Sequence, residues 1–131
     1  MEGEFDRWNV IKKEIEAGGD RAVLFPHEGE VWMCSVGRNI GYEQNGMGAG
    51  FARPALIVKK FNNKMFWVVP LSSKQKTLDF YHNFTDAAGH GASAILAQLR
   101  LLSVKRFDRN MYTIDPGEFD TIKEKLMHLF R

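Results

Sequence analysis

The sequence predicts a mainly β (α+β) domain, in which a small, curled, mostly antiparallel sheet packs with one helix at each end of the chain. Three observations carry this. Several apolar runs of strand length follow one another without regular intervening helices, which argues against a parallel α/β sheet. Two of them flank Asn62-Asn63, a tight-turn signal that predicts a hairpin. Both chain ends instead carry apolar residues at helical spacing.

Residues 4–17, EFDRWNVIKKEIEA, set Phe5, Trp8, Ile11 and Ile15 on one helical face, and Gly18-Gly19 stops that helix. Pro26 marks a break in the connection that follows. Residues 30–36, EVWMCSV, read as a strand of bulky apolar groups. A long glycine-rich loop, GRNIGYEQNGMGAGF, comes next. The segment 54-PALIVKKF-61 reads as the second strand and 64-KMFWVVPLS-72 as the third. Residues 78–84 form a further short strand. After the small-residue loop DAAGHGAS, residues 93–103, SAILAQLRLLS, suit one strand near the core. The last element is the most explicit. Asp115 at the N-cap, Pro116 at the first helical position and Glu118 at the third start a helix, and Phe119, Ile122, Leu126 and Leu129 give it one apolar stripe for core packing.

With 131 residues the chain is one domain, large enough to bury a core without staples. The best apolar run, residues 65–71, falls far short of a membrane span. The acidic start, MEGEFDRWN, lacks a signal-peptide pattern, which favours the cytoplasm. The lone Cys34 has no internal disulfide partner and reads as a buried thiol. Net charge is +2, unevenly spread: residues 29–111 hold eleven Lys/Arg against five Asp/Glu, whereas both ends are mildly acidic. A basic centre fits an anionic partner, and Lys59, Lys60, Lys74 and Lys76 equally serve to solvate strand ends.

Several chemistries are excluded. There is no GxxxxGK[ST] phosphate loop and no GxSxG elbow. His27, His82, His90 and His128 lack metal-site spacing, so no metal and no cofactor is expected, and His82 and His90 read as polar loop residues. What remains is Glu43, Gln44 and Arg53 before the second strand, and Ser72, Ser73 and Lys74 after the third. Arg53 and Ser72 lie at nearly equal distances from the predicted turn, so the hairpin makes them neighbours at one end of the sheet. The glycine-rich loop would hang Glu43 and Gln44 over that end. An Arg53–Glu43 surface ion pair, with Ser72 merely ending its strand, accounts for the same residues.

The blocks 29-GEVW-32, 41-GYEQNG-46, 53-RPALIV-58, 69-VPLSSK-74 and 96-LAQLR-100 resemble, in order and spacing, the MazF/PemK family of toxin endoribonucleases from bacterial type II toxin–antitoxin pairs. The resemblance covers roughly residues 28–130. It implies a small SH3-like antiparallel β-barrel of the MazF/CcdB toxin type over residues 28–131, with residues 1–27 as an added helical extension of a single domain. It implies a homodimer, a cognate antitoxin protein as partner, and metal-independent cleavage of single-stranded RNA, such as mRNA. Carried over by motif, Arg53 and Ser72 would be the catalytic core, with Glu43 either accepting the 2′-OH proton or holding Arg53. Gln44, Gln98 and Arg100 fall on further motif positions that contact substrate or support the site. Tyr42, Ser73 and Lys74 complete the expected RNA-binding set. Tyr42 and Phe51 are candidate stacking platforms, and Trp67 reads as core. The same resemblance leaves two alternatives: a non-catalytic toxin of this fold that binds a protein such as DNA gyrase, or an inactive RNA-binding relative. Four departures stand out: serine at 72 where threonine is usual, a lengthened loop between Gln44 and Arg53, no acidic residue after the Arg100 block, and the first 27 residues.

Overall fold

The computed structural model describes residues 24–35 and 52–130. The predicted helix over 4–17 and the glycine-rich loop, with Tyr42, Glu43, Gln44 and Phe51, lie outside the described residues. In chain order the elements are β1 (Glu30–Ser35), β2 (Ala52–Lys60), β3 (Met65–Ser72), β4 (Tyr81–Thr85), β5 (Gly91–Ile95), β6 (Arg100–Ser103), β7 (Phe107–Thr113) and α1 (Pro116–Leu129). Short 3-10 turns at Leu96–Gln98 and Val104–Arg106 precede β6 and β7.

All pairings are antiparallel, in the order β4-β5-β3-β2-β1-β7, with β6 also on β3. The fold is therefore mainly β with an antiparallel sheet, as expected, but the sheet is not a closed barrel among the described residues. Closure needs the two end strands to share a ladder. Here β4 pairs with β5 and β7 pairs with β1. Helix α1 joins the two ends instead: Ile122 and Leu126 share a core with Phe84 of β4 and with Ile114 just after β7.

The β2–β3 hairpin forms where the sequence predicts, through a four-residue connection rather than a two-residue turn. The Asn62 side chain accepts from the backbone N–H of Lys64 and Met65 at 2.8 and 2.9 Å, which closes it. The run Ala55–Val58 is buried on successive residues because β2 has a core on each face. On one face Leu56, Val69 and Leu71 pack under α1. On the other, Ala55, Ile57 and Val68 pack with Trp32, Phe66 and Phe107, whose rings meet at centroid distances of 5.7 and 5.1 Å.

The predicted strand over 93–103 is broken into β5 and β6 by the turn at Leu96–Gln98. Trp67, read as core, is 40 % exposed. It alternates with buried Phe66 and Val68 near the start of β3, with Phe61 edge-on at 5.0 Å. Cys34 is buried as expected; burial, then Asp108, raises its pKa well above the ordinary thiol range, against a smaller pull from Arg100.

The helix start follows the sequence: Asp115 accepts from the Glu118 N–H at 3.1 Å, with Pro116 in the first turn. Gly29, at φ +88°, donates to Ile57 and accepts from Ile114, so this left-handed residue ties β2 to the entry of α1. No helix among the described residues is long and apolar enough to cross a membrane.

His82 is a correction. It is no loop residue but a buried member of β4, 6 % exposed, stacked on Phe84. Neither ring nitrogen makes a hydrogen bond, although Nε2 lies 3.4 Å from a Glu118 carboxylate oxygen, close but poorly aligned. Burial above all, then Lys125, lowers its pKa, with Glu118 opposing. The unfolded chain thus binds a proton that the folded one resists. Stability is full above the ordinary histidine value and is lost as pH falls below it, from about 6.5 downward. The melting temperature of the wild type should drop between about pH 7.5 and 5.5 by more than that of His82→Leu, since only the wild type takes up this proton on unfolding. Equal losses in the two proteins would show that His82 is not the acid-sensitive group.

Candidate functional site

The register of one hairpin assembles the site. β2 and β3 pair Leu56 with Val69 and Ala55 with Pro70. Two residues beyond the Ala55–Pro70 pair come Arg53 on β2, which pairs with Cys34 of β1, and Ser72 on β3, which pairs with Ser93 of β5. Both residues belong to their strands, and both line one cleft of about 820 Å³.

Arg53 is 7 % exposed, and its Nε donates to the Leu71 carbonyl at 3.2 Å. That bond sets the plane of the guanidinium. Burial lowers its pKa and neighbouring Tyr81 raises it again; a guanidinium remains a cation through such shifts. Ser72 ends β3, half-buried, and its Oγ accepts from the Lys74 N–H at 3.1 Å. As acceptor in that bond, the hydroxyl keeps its proton to donate.

Ser73, Lys74 and Lys76 continue along the cleft wall. The Lys76 ammonium lies over the Tyr81 ring at 5.6 Å. Between the lysines, Gln75 turns the other way: its amide donates to the carbonyls of Phe84 and Ala92 at 3.1 and 3.2 Å. Those two residues are cross-strand partners in the β4–β5 hairpin. The segment after β3 is therefore latched onto that hairpin, and β5 itself pairs Ser93 with Ser72.

The cleft thus brings together Arg53, Ser72, Ser73 and Lys74. Glu43, Gln44 and Tyr42 lie outside the described residues. Gln98 and Arg100 do not line the cleft: Gln98 closes a 3-10 turn, and Arg100 opens β6 opposite Val68. Sequence reasoning missed Tyr81, Asp86, His90, Met111 and Tyr112, all of which line it. The signal for Asp86 and His90 was the pairing of β5, which begins within DAAGHGAS, with the end of β3, which brings that loop beside Ser72. Met111 and Tyr112 carry no local signal.

A buried, oriented guanidinium beside a donor hydroxyl, with ammonium groups along the same wall, is suited to an anionic phosphodiester. Among the described residues no group of three His, Cys, Asp or Glu side chains is placed to hold a metal ion.

Residues 27–130 match the family of PemK-like, MazF-like toxins of type II toxin–antitoxin systems. Solved structures agree in fold. MazF from Deinococcus radiodurans superposes with a TM-score of 0.67 at 18 % identity, over 82 % of this chain and 97 % of that one. An endoribonuclease from a mycobacterial species does so with 0.62 at 16 %, over 82 % and 92 %. A mycobacterial endoribonuclease in complex with its cognate antitoxin gives 0.61 at 16 %, over 80 % and 94 %. At such identities the likeness shows the fold alone. No curated protein sequence matches the chain.

The latch is open to a direct test. Gln75→Ala should cost about 1–2 kcal/mol in denaturant unfolding by freeing two carbonyls. A Cβ at Gly91 would lie 3.1 Å from the Gln75 amide carbon, so Gly91→Ala must displace the same group. The double variant should then cost clearly less than the two single costs added. Strict additivity would show that this amide does not tie the segment down.

Proposed function

The chain belongs to the family of PemK-like, MazF-like toxins of type II toxin–antitoxin systems, and from that premise we propose that it is a metal-independent endoribonuclease that cuts single-stranded RNA at a short sequence. The observation that carries this reading is the shared cleft of Arg53 and Ser72 at one end of the β2–β3 hairpin.

RNA supplies its own nucleophile, the 2′-OH, which attacks the adjacent phosphorus. A bond forms between O2′ and phosphorus, and the bond from phosphorus to O5′ breaks. The products are a 2′,3′-cyclic phosphate and a 5′-OH end, the leaving oxygen taking up a proton. Charge on the phosphoryl oxygens is what the protein must stabilise. Arg53 offers a planar fork of donors to one pair of oxygens, and its bond to Leu71 fixes that fork beforehand. Ser72 donates its hydroxyl to a phosphoryl oxygen. Glu43 either accepts the 2′-OH proton or holds Arg53. Ser73, Lys74 and Lys76 meet the flanking backbone, with Tyr42, Gln44, Gln98 and Arg100 as further contacts or supports. With mRNA as substrate, the site of action is the cytoplasm.

The protein partners we propose are a second copy of the chain and a cognate antitoxin. The antitoxin-bound mycobacterial relative supports the latter. Basic residues along the cleft fit a small, partly acidic protein whose flexible segment covers the wall and blocks RNA. Co-expression of such a gene from the same locus should restore growth; toxicity that no neighbouring small gene relieves would refute this pairing.

The enzyme reading is tested with purified protein and a mixed RNA pool in EDTA. Cyclic-phosphate ends should appear with the wild type and vanish with Arg53→Ala. Ser72→Ala should lower cleavage by about 10²-fold or more, the size seen when one transition-state donor is removed. Ser72→Thr keeps the hydroxyl and should stay active. RNA left intact by the wild type would favour a toxin that binds a protein target or an inactive relative.

A further inference from the structure

The cleft exceeds what one phosphodiester requires: about 820 Å³ is a volume that holds whole organic ligands. Its lining also changes in character. Beyond the basic wall at Lys74 and Lys76 it includes Asp86 and His90 from the β4–β5 turn, and Met111 and Tyr112 from β7. Asp86 and Tyr112 line the same cleft, and burial, then the Asp86 charge, pushes the Tyr112 phenol up to about 12. The phenol is therefore an O–H donor at neutral pH. A carboxylate makes this region unfavourable for phosphate, whereas aromatic rings and a thioether suit a base.

The turn that carries His90 is built to hold it. Asp86 Oδ1 accepts from the N–H of Ala88 and of His90 at 2.9 and 2.8 Å. The Asp86 N–H donates to the His90 carbonyl at 2.8 Å, and Gly89, at φ +87°, supplies the left-handed step that lets the turn close. His90 leads straight into β5, which pairs with the strand end bearing Ser72. The position of His90 relative to the reacting end is thus set by backbone before any ligand arrives.

We propose that this region of the cleft is a nucleobase subsite, in which His90 reads the edge of an unpaired base flanking the cut phosphate. The inference rests on the RNA-cleaving reading above and adds to it a residue that determines specificity. Unpaired bases are held by stacking on flat side chains and by hydrogen bonds along their edges. Tyr112 supplies a ring, and the imidazole of His90 offers two ring nitrogens in one plane for hydrogen bonds. The imidazole is exposed, and the hydrogen bonds that shape the turn come from the His90 backbone, so the side chain can change without loss of the turn.

The test compares the wild type with His90→Ala and His90→Gln on one preferred RNA and on single-base variants of it at each position around the cut. With the wild type, one flanking position should show strong discrimination. In His90→Ala the ratio of preferred to variant cleavage at that position should collapse by about tenfold, the scale of one lost base contact, while ratios at the other positions hold. His90→Gln, which keeps a donor and an acceptor, should retain part of the preference or shift it to another base. Unchanged ratios in both variants would overturn the proposal while leaving the enzyme reading intact, as would an equal loss on every RNA. Failure of the wild type to cut any RNA would overturn both.

Discussion

The organisation of this protein depends on one strand serving two ladders along a single edge. β3 pairs with β6 through Met65–Val68 and with β5 at Leu71 and Ser72. Between them lies an interval at Val69 and Pro70. A proline in an interior strand is normally excluded because it cannot donate to the ladder. Here it stands where one edge has no strand pairing, and its pairing to Ala55 on the other edge is kept. Across the ladder the same chain makes the matching corner with the turn at Leu96–Gln98, where the Leu96 N–H donates to the Phe80 carbonyl. The interruption lets β5 swing away with β4 and carry a hairpin alongside the end of β3. Without it, Ser72 would end a strand in open solvent, and no wall would face Arg53.

Burial of the Arg53 guanidinium follows from the same layout. Taking a cation out of water is costly unless donors find acceptors and geometry is held. The Leu71 carbonyl accepts from Nε at the point where β3 turns its edge toward β5. The backbone thereby orients the one side chain that the phosphodiester reading needs most. An oriented donor is worth more to developing negative charge than a mobile one, because it does not reorganise as charge moves.

Much of this was readable from residue types alone. The Asp115-Pro116-Glu118 start and the β2–β3 hairpin rest on local chemistry and on a turn signal, and the structure agrees; Arg53 and Ser72, brought near one another by counting from that turn, line one cleft. What was unreadable depended on distant contacts. The break between β5 and β6 falls in Leu-Ala-Gln, with neither glycine nor proline to announce it. His82 is polar, yet tertiary packing under α1 buries it beside Phe84 and Glu118. Trp67 looks like core by type, but it lies outside both core clusters and meets the exposed Phe61 ring. The open sheet could not be told from a barrel, because closure is a property of the last strands' partners and not of any strand's own sequence.

The division of the cleft has a consequence for how such a protein can vary. Arg53 and Ser72 sit on strands whose register is fixed by a core on each face, so a shift of either would cost the packing of Ala55–Val58. Asp86 and His90 sit on a turn whose shape comes from its own backbone hydrogen bonds and one left-handed glycine. Side chains exposed on that turn can change without touching the hairpin that holds the guanidinium and hydroxyl. The two groups of residues therefore line one cleft but stand on different elements. These elements are tied by the pairing of β5 with β3, by the Gln75 amide and by a shared core of Leu71, Phe84, Ala92 and Ala94.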